Sequence, residues 1–408
     1  MGLPPLVAPG PALTGEQVSR YSRHLLMPTI GEGGQRRLLA ARVAVIGAGG
    51  LGSPSLLYLA AAGVGRITVV DDDDVDETNL QRQVIHSSAD VGRPKVDSAL
   101  ERVRALNPEV EIVGVTDHLT ADNAAAMLAD HDVVLDGSDN FETRYAVADA
   151  CDELGVPLVW AAVYRTEAHL TVFWTAAPEG HPAPGLRDLF PRPPAPGSVP
   201  ACGDAGVVGP LVGQVGSMMA TEAIKLITGV GAPLVGRLLF IDVLAATQRE
   251  LPLVARGPRT RPPAVLPTPV ADTEPGGPTL VSPADLADQL SGAHAPFVLD
   301  VRDAYELASG SVPGAVHIPV PTLTGDPASS DALPTDRDIV LVCHSGARAR
   351  LAATTLRARG FEQLHVLDGV GHHQHPLGIG QGVQDGFRAD VLDRGVKKRS
   401  HDFSYAAP

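Results

Sequence analysis

The sequence predicts an α/β protein built as two units in series, and three observations carry that prediction. Short β-branched runs alternate with helical patterns between residues 42 and 136, a glycine-rich turn joins the first run to an apolar helix, and a proline-rich stretch at 251–278 precedes a second, smaller set of strands and helices. The 408 residues suffice for two or three domains, each with its own core.

Taken in order, residues 15–37 read as one amphipathic helix with Tyr21, Leu25 and Leu26 on a single face. Arg42-Val-Ala-Val-Ile-Gly is a strand ending at a glycine, and residues 51–62 form the apolar helix after it. Further strands are expected at 65–71, 110–115 and 132–136, which together predict a parallel sheet covered by helices. Two more strands fall within 157–175, followed by a Pro/Gly-rich excursion at 178–200, a length of irregular chain that is usually functional. A helix at 213–228 and a strand at 237–243 complete the first unit, for which the bounds 13–250 are expected. In the linker at 251–278 prolines recur and no hydrophobic period survives. The second unit, 279–370, opens with the helix start Ser282-Pro-Ala-Asp-Leu286 and has strands at 297–301 and 338–343. Residues 371–408, with His372, His373 and His375 among glycines and basic residues, are expected to be a disordered tail.

Lys and Arg number 32 against 47 Asp and Glu, a formal charge of −15 that argues against nucleic acid or an anionic membrane as the main partner. Cys151, Cys202 and Cys343 lie far apart, without the paired spacing of a disulfide framework or a zinc site, which points to a reducing cytoplasm. The first residues lack a basic segment followed by an apolar core, and the apolar stretch at 51–64 is short and interrupted, so neither export nor a membrane span is expected. Cys151, inside a helical stretch, reads as core.

Gly47-Ala-Gly-Gly-Leu-Gly52 between strand and helix turns backbone N–H groups and a helix N-terminus toward whatever sits above it, and that favours an anion. Asp71 ends the next strand, where a ribose-binding acid belongs; these two features alone suit NAD(P) about as well as ATP. Asn79-Leu-Gln-Arg-Gln83, Lys95 and Asp136-Gly-Ser-Asp-Asn140 then bring cations and carboxylates to the same sheet edge. Hydride transfer leaves Arg82, Lys95 and Asp139 without work, whereas attack of a carboxylate on the α-phosphate of ATP needs fixed cations and a metal ion as pyrophosphate leaves. No Gly-Lys-Ser/Thr follows the glycines, so this is not a P-loop.

These motifs, with Arg20-Tyr-Ser-Arg23 upstream, resemble the E1-like adenylyltransferases of the MoeB/ThiF family over residues 13–250. The resemblance implies a Rossmann-like adenylation domain in which Gly50 lies against the nucleotide and Asp71 holds the ribose. It further implies that Asn79, Arg82 and Lys95 hold the phosphates and that Asp139 positions Mg²⁺–ATP. Gly47, Gly49, Gly52, Thr78, Leu80, Gln81 and Asn140 complete the implied nucleotide site, and an arginine at the position of Arg23 reaches the nucleotide of a partner subunit, implying a homodimer. Many relatives hold zinc with two Cys-x-x-Cys pairs; Gly185-Leu-Arg-Asp188 replaces the first and residues 251–266 contain no cysteine, so no zinc is expected, as in the MoeZ-like branch.

Cys343-His-Ser-Gly-Ala-Arg348 stands between a strand and an Ala/Leu-rich helix, where loop N–H groups, a helix N-terminus and Arg348 would stabilise a thiolate. With Asp300-Val-Arg302, Glu306 and Val312-Pro-Gly-Ala-Val-His-Ile-Pro319, the segment resembles a rhodanese active loop, and its four residues between Cys343 and Arg348 favour sulfur over phosphate as cargo. The match stops after Leu367-Asp-Gly369. Cys202, among flexible glycines after the proline-rich excursion, is implied by the two-domain relatives to assist acyl transfer, through a thioester or by opening an acyl disulfide. The expected partners are thus a ubiquitin-fold sulfur carrier ending in Gly-Gly and a sulfur donor, either thiosulfate or a cysteine desulfurase. The expected catalytic set is Arg82, Lys95, Asp139, Cys202, Cys343 and Arg348. An adenylation-only enzyme is the alternative if the unusual tail keeps the second unit from folding.

Overall fold

A computed structural model describes residues 3–194, 206–255, 278–292, 295–343 and 346–367. They form two compact units that divide between positions 271 and 272.

The first unit is one eight-stranded sheet: β1 Arg42–Ile46, β2 Arg66–Val70, β3 Glu111–Val115, β4 Val133–Asp136, β5 Leu158–Tyr164, β6 Glu167–Phe173, β7 Arg237–Asp242 and β8 Thr247–Pro252, in the spatial order β3-β2-β1-β4-β5-β6-β7-β8. The strands from β3 across to β5 pair in parallel, while β5 to β8 pair antiparallel. The expectation of a parallel sheet therefore holds for five strands and gives way beyond β5, where short turns join β5 to β6 and β7 to β8 while a long excursion that includes helix Gly209–Thr228 separates β6 from β7. In β1, Val43 and Val45 enter one apolar core and Ala44 and Ile46 the opposite one. This two-sided burial explains why the strand reads as an unbroken apolar run. Helices Gly52–Ala62, Lys95–Leu106 and Gly209–Thr228 cover the first face; Ala124–Leu128 and Phe141–Leu154, which carries buried Cys151, cover the second.

Three local expectations are corrected. The helix over 15–37 is divided into Gly15–Arg20, Ser22–Leu25 and Gly31–Ala40, because Tyr21 leaves helical geometry (ψ 15°) and Gly31 adopts φ +55° just after Pro28. Tyr21 does not share a face with Leu26: it is buried, with its hydroxyl between Asn107 and Glu109, whereas Leu26 is 71% exposed. The third is β8, an edge strand exposed at every position, which runs across the expected boundary at 250 and carries no alternation to betray it.

The second unit is a five-stranded parallel sheet of β9 Thr279–Val281, β10 Phe297–Asp300, β11 Val316–His317, β12 Ile339–Val342 and β13 Leu364–Leu367, in the order β11-β10-β12-β13-β9. Helix Pro283–Leu290 starts where expected, with Ser282 as its cap (Asp285 N–H to Ser282 Oγ, 3.1 Å) and Pro283 in its first turn. Leu299, Ile339 and Leu341 pack against the alanines of helix Ala347–Ala358, while Val298, Val340 and Val342 face Leu286. Among the described residues no helix is long and apolar enough to cross a membrane.

Candidate active site

In the first sheet the strand order reverses between β1 and β4, so the chain leaves their adjacent carboxyl ends in opposite directions and opens a crevice between them. The glycine turn follows β1 and Gly137-Ser-Asp-Asn140 follows β4, and both line that crevice. Gly47 takes φ +86°, which lets the chain turn out of the strand, and Gly50 sits so close to helix Gly209–Thr228 that a Cβ there would meet Val212 Cγ1 at 2.7 Å. Gly47, Gly49, Gly50, Asp71, Arg82, Lys95, Asp139 and Asn140 all line the cleft.

Asp71 directly follows β2 and accepts the N–H of Ala48 (2.7 Å), tying the glycine turn to the neighbouring strand. Burial pushes its carboxyl above the ordinary value, against the opposing pull of Lys95. Lys95 opens its helix with a buried side chain whose ammonium reaches Asp73 at 2.7 Å. Arg82 donates to the carbonyl of Thr78 (3.1 Å). Asp139 stands exposed at the cleft wall, and Asn140 caps helix Phe141–Leu154 by accepting the Thr143 N–H at 2.8 Å.

Several expected nucleotide-site residues lie elsewhere. Gly52 is pressed against the backbone, where a Cβ would meet the Gly47 carbonyl at 1.8 Å, so it serves close packing of helix on strand and does not line the cleft. Thr78, Asn79, Leu80 and Gln81 are likewise not among the lining residues. Asp76 caps Thr78 while Asn79 accepts the Asp76 N–H, and the Gln81 carbonyl lies against Gly209. In this tight 3₁₀ turn the Asn79 side chain is held on the turn's own backbone and the Thr78 hydroxyl on Asp76, and from the run Arg82 and Gln83 line the cleft. Arg23 is exposed on its short helix and is not a cleft residue. Cys202, the tail and most of the linker fall outside the described residues. At Gly185–Asp188, where relatives were expected to carry thiolates, Arg187 makes a bidentate pair with Asp149 (2.8 and 2.7 Å) and lies 4.9 Å from the Tyr145 ring centroid.

Two buried polar residues, Arg144 and His86, escaped the sequence reading, and Asp136, read there as part of a motif, is buried beside them. Arg144 donates twice to the Ser138 carbonyl (3.2 and 2.8 Å), bracing the loop that carries Asp139. Asp136 accepts both the N–H and the hydroxyl of Ser138 (2.9 and 2.6 Å), and burial raises its carboxyl above the usual range. His86 holds the Ala48 carbonyl through Nε2 (3.0 Å) and Ser98 through Nδ1 (2.9 Å). A carbonyl only accepts, so Nε2 carries the proton and Nδ1 accepts from Ser98, a neutral ring that burial favours by lowering its pKa below the ordinary 6.5. The unfolded chain therefore binds this proton at higher pH than the folded one, and the stability that neutral His86 supports is lost as pH falls below about 6.5. Thermal unfolding from about pH 8 to about pH 5.5 is expected to show a shallower acid decline for His86→Gln than for the parent; parallel curves would remove His86 as the cause.

In the second unit Cys343 directly follows β12, at the edge of the core and just ahead of helix Ala347–Ala358. The N–H groups of Gly346 and Ala349 approach its sulfur at 3.1 and 3.4 Å, the loop arrangement expected for a stabilised anion. Arg348 departs from expectation. Its guanidinium grips Glu306 with both terminal nitrogens (2.5 and 2.8 Å), because β10 and β12 are neighbours and the turns after them meet. Cys343 and Cys151 are the free cysteines of the described residues, and burial pushes Cys151 well above the ordinary thiol range, in keeping with a core role.

Comparison with known proteins follows the same division. Residues 21–261 match the model of the ThiF family, and residues 282–370 that of the rhodanese-like domain. The chain is 45% identical to the adenylyltransferase/sulfurtransferase MoeZ of Mycobacterium tuberculosis over 379 residues, covering 90% of this chain and 95% of that protein. It is 49% identical over 246 residues to the sulfur carrier protein adenylyltransferase of Thermus thermophilus, covering 60% of this chain and 90% of the other. Among solved structures, Escherichia coli MccB with ATP superposes with a TM-score of 0.50 at 20% identity, over 58% of this chain and 71% of that one, a likeness of fold.

Proposed function

Because the chain belongs to the ThiF family and carries a rhodanese-like domain after it, we propose that it adenylates the C-terminal Gly-Gly of a ubiquitin-fold sulfur carrier and then delivers sulfur to the activated carboxyl, leaving a thiocarboxylate. The observation that carries this reading is the pairing of two sites in one chain: a strand-reversal cleft lined by Asp71, Arg82, Lys95 and Asp139, and a cysteine cradled by loop N–H groups.

In the first reaction a carboxylate oxygen bonds to the α-phosphorus of ATP while the bond to the β-phosphate oxygen breaks and pyrophosphate leaves. The Lys95 ammonium and Arg82 guanidinium are placed to hold that charge from one wall, and the glycine turn presents N–H groups from another. Asp71 is suited to the ribose hydroxyls. A magnesium ion would take the exposed Asp139 carboxylate and supply further charge neutralisation, a hard cation on an oxygen ligand. In the second reaction the terminal sulfur of a Cys343 persulfide, loaded by thiosulfate or a cysteine desulfurase, bonds to the acyl carbon, giving an acyl disulfide. Cys202 assists in one of two ways: it takes the acyl group from AMP as a thioester that the persulfide then attacks, or, after the persulfide has displaced AMP directly, it attacks Cys343 Sγ in the acyl disulfide. In either case a thiolate opens the S–S bond, the thiocarboxylate leaves, and the resulting cysteine disulfide is returned to thiols by an external thiol reductant. The proposal extends to a homodimer in which Arg23 reaches the partner subunit's nucleotide, to a cytoplasmic setting, and to the boundaries 13–250, 251–278, 279–370 and 371–408 for adenylation domain, linker, sulfur domain and tail.

Intact mass spectrometry of Gly-Gly-ended carriers, incubated with the protein, Mg²⁺–ATP and thiosulfate or a persulfide donor, tests it. Replacement of one carrier oxygen by sulfur, dependent on ATP, is the expected result. An adenylated carrier that never gains sulfur from any donor would confine the activity to the first unit.

A further inference from the structure

We propose that Gln83 is a further nucleotide-binding residue: its side-chain amide donates to a phosphate oxygen of ATP from the wall of the strand-reversal cleft. The inference rests on the reading of that cleft as the nucleotide site.

Gln83 directly follows Arg82 and is only 4% exposed. Its backbone is fully engaged, the N–H on the Asn79 carbonyl (2.9 Å) and the carbonyl on the His86 N–H (3.1 Å), so the side chain leaves from a fixed point. At its tip Oε1 is buried with no hydrogen-bond partner, and Nε2 donates to no other described residue. A buried amide in that state costs folding free energy, and native side chains of this kind are nearly always satisfied. Of the side chains with an orphaned buried atom among the described residues, Gln83 is the one that lines the cleft.

The surroundings of the amide identify the group it meets. Nε2 lies against the glycine turn, where a Cβ on Gly49 would stand 3.6 Å from it. In that turn the Ala48 N–H is taken by Asp71, whereas the Gly49 and Gly50 N–H groups have no acceptor among the described residues. Three neutral donors thus line the cleft together with the side chains of Arg82 and Lys95, and a phosphate oxygen, which accepts several hydrogen bonds at once, is the ligand group that fits them. Because the protein holds neither end of the amide, a half-turn about its last torsion presents N–H to the cleft without breaking a protein hydrogen bond. A third cation here would add charge to Arg82 and Lys95; an amide adds hydrogen bonds and leaves the charge unchanged.

The test uses the full chain without carrier, with Mg²⁺–ATP and adenosine as probes in equilibrium binding, and follows the melting temperature of the nucleotide-free protein. Gln83→Met keeps the length of the side chain and removes the amide. It is expected to weaken ATP binding about tenfold or more, the loss of one hydrogen bond to a charged group, while adenosine binding stays within about twofold. Because an orphaned amide goes with it, the nucleotide-free variant should melt no lower than the parent and up to about 4 °C higher. Gln83→Glu, of equal size with a carboxyl oxygen in place of the amide nitrogen, should weaken ATP binding at least as much and again spare adenosine. ATP binding within about twofold of the parent in both variants would overturn the proposal, and so would equal losses for ATP and adenosine. A nucleotide-free Met variant that melts lower than the parent would show the amide supporting the fold, and would overturn it as well. A parent protein that binds neither probe would instead overturn the nucleotide reading beneath it.

Discussion

Asp139→Ala is expected to lower ATP–pyrophosphate exchange by about 10²–10³-fold, the usual loss when a fixed group that stabilises developing charge is removed. The side chain is exposed on the cleft wall, and the loop that carries it is held from below by Arg144 and Asp136, so the substitution removes a carboxylate without removing a support. Thermal stability should accordingly stay within about 0.5 kcal/mol of the parent, as for other surface changes. Sulfur loading of Cys343 should proceed at the parent rate, since that residue belongs to the other compact unit. Exchange that survives the substitution would mean that nucleotide and metal are held elsewhere, and the assignment of the strand-reversal cleft would fail with it.

The complementary variant is Cys343→Ala. Loss of the sulfur-carrying nucleophile should cut thiocarboxylate formation by at least about 10³-fold, while pyrophosphate exchange stays within about twofold of the parent. Cys343 borders the core of its unit, and Ala removes only its sulfur, so a cooperative unfolding transition should persist. The pair is informative because the losses should cross: exchange without sulfur in one protein, sulfur loading without exchange in the other. Equal loss of exchange in both variants would sink the division of labour between the two units.

Much of the fold was legible from residue order, and the reasons are local. Strand period, the glycine turn and the proline-rich break each act over a few residues, and β1, β2, β4, β5, β6 and β7 all appear within the spans expected for them. The N–H contacts of Gly346 and Ala349 to the Cys343 sulfur are local in the same way, spanning only three and six positions. What escaped was set by distance. β8 has no apolar face, so only its pairing with β7 makes it a strand. His86 reaches the Ala48 carbonyl across 38 positions, and nothing in its neighbours announces that contact. The run from Thr78 to Gln81 shows the same limit: its side chains enter the reading through the family resemblance, and only the fold shows Thr78 and Asn79 bonded to Asp76.

Residue order settled which chemical groups stand at the strand ends, because turn chemistry and side-chain period need only near neighbours. It supplied Asp71, Lys95 and Asp139 to one sheet edge and Cys343 to another. Folding decided which of those charges remain free to act. Arg348 and Glu306 lie 42 positions apart and meet only because β10 and β12 pair in the sheet, so a cation that reads as an anion trap in the sequence is a neutralised one in the fold. Ion pairs of that kind depend on three-dimensional separation, which no local pattern encodes.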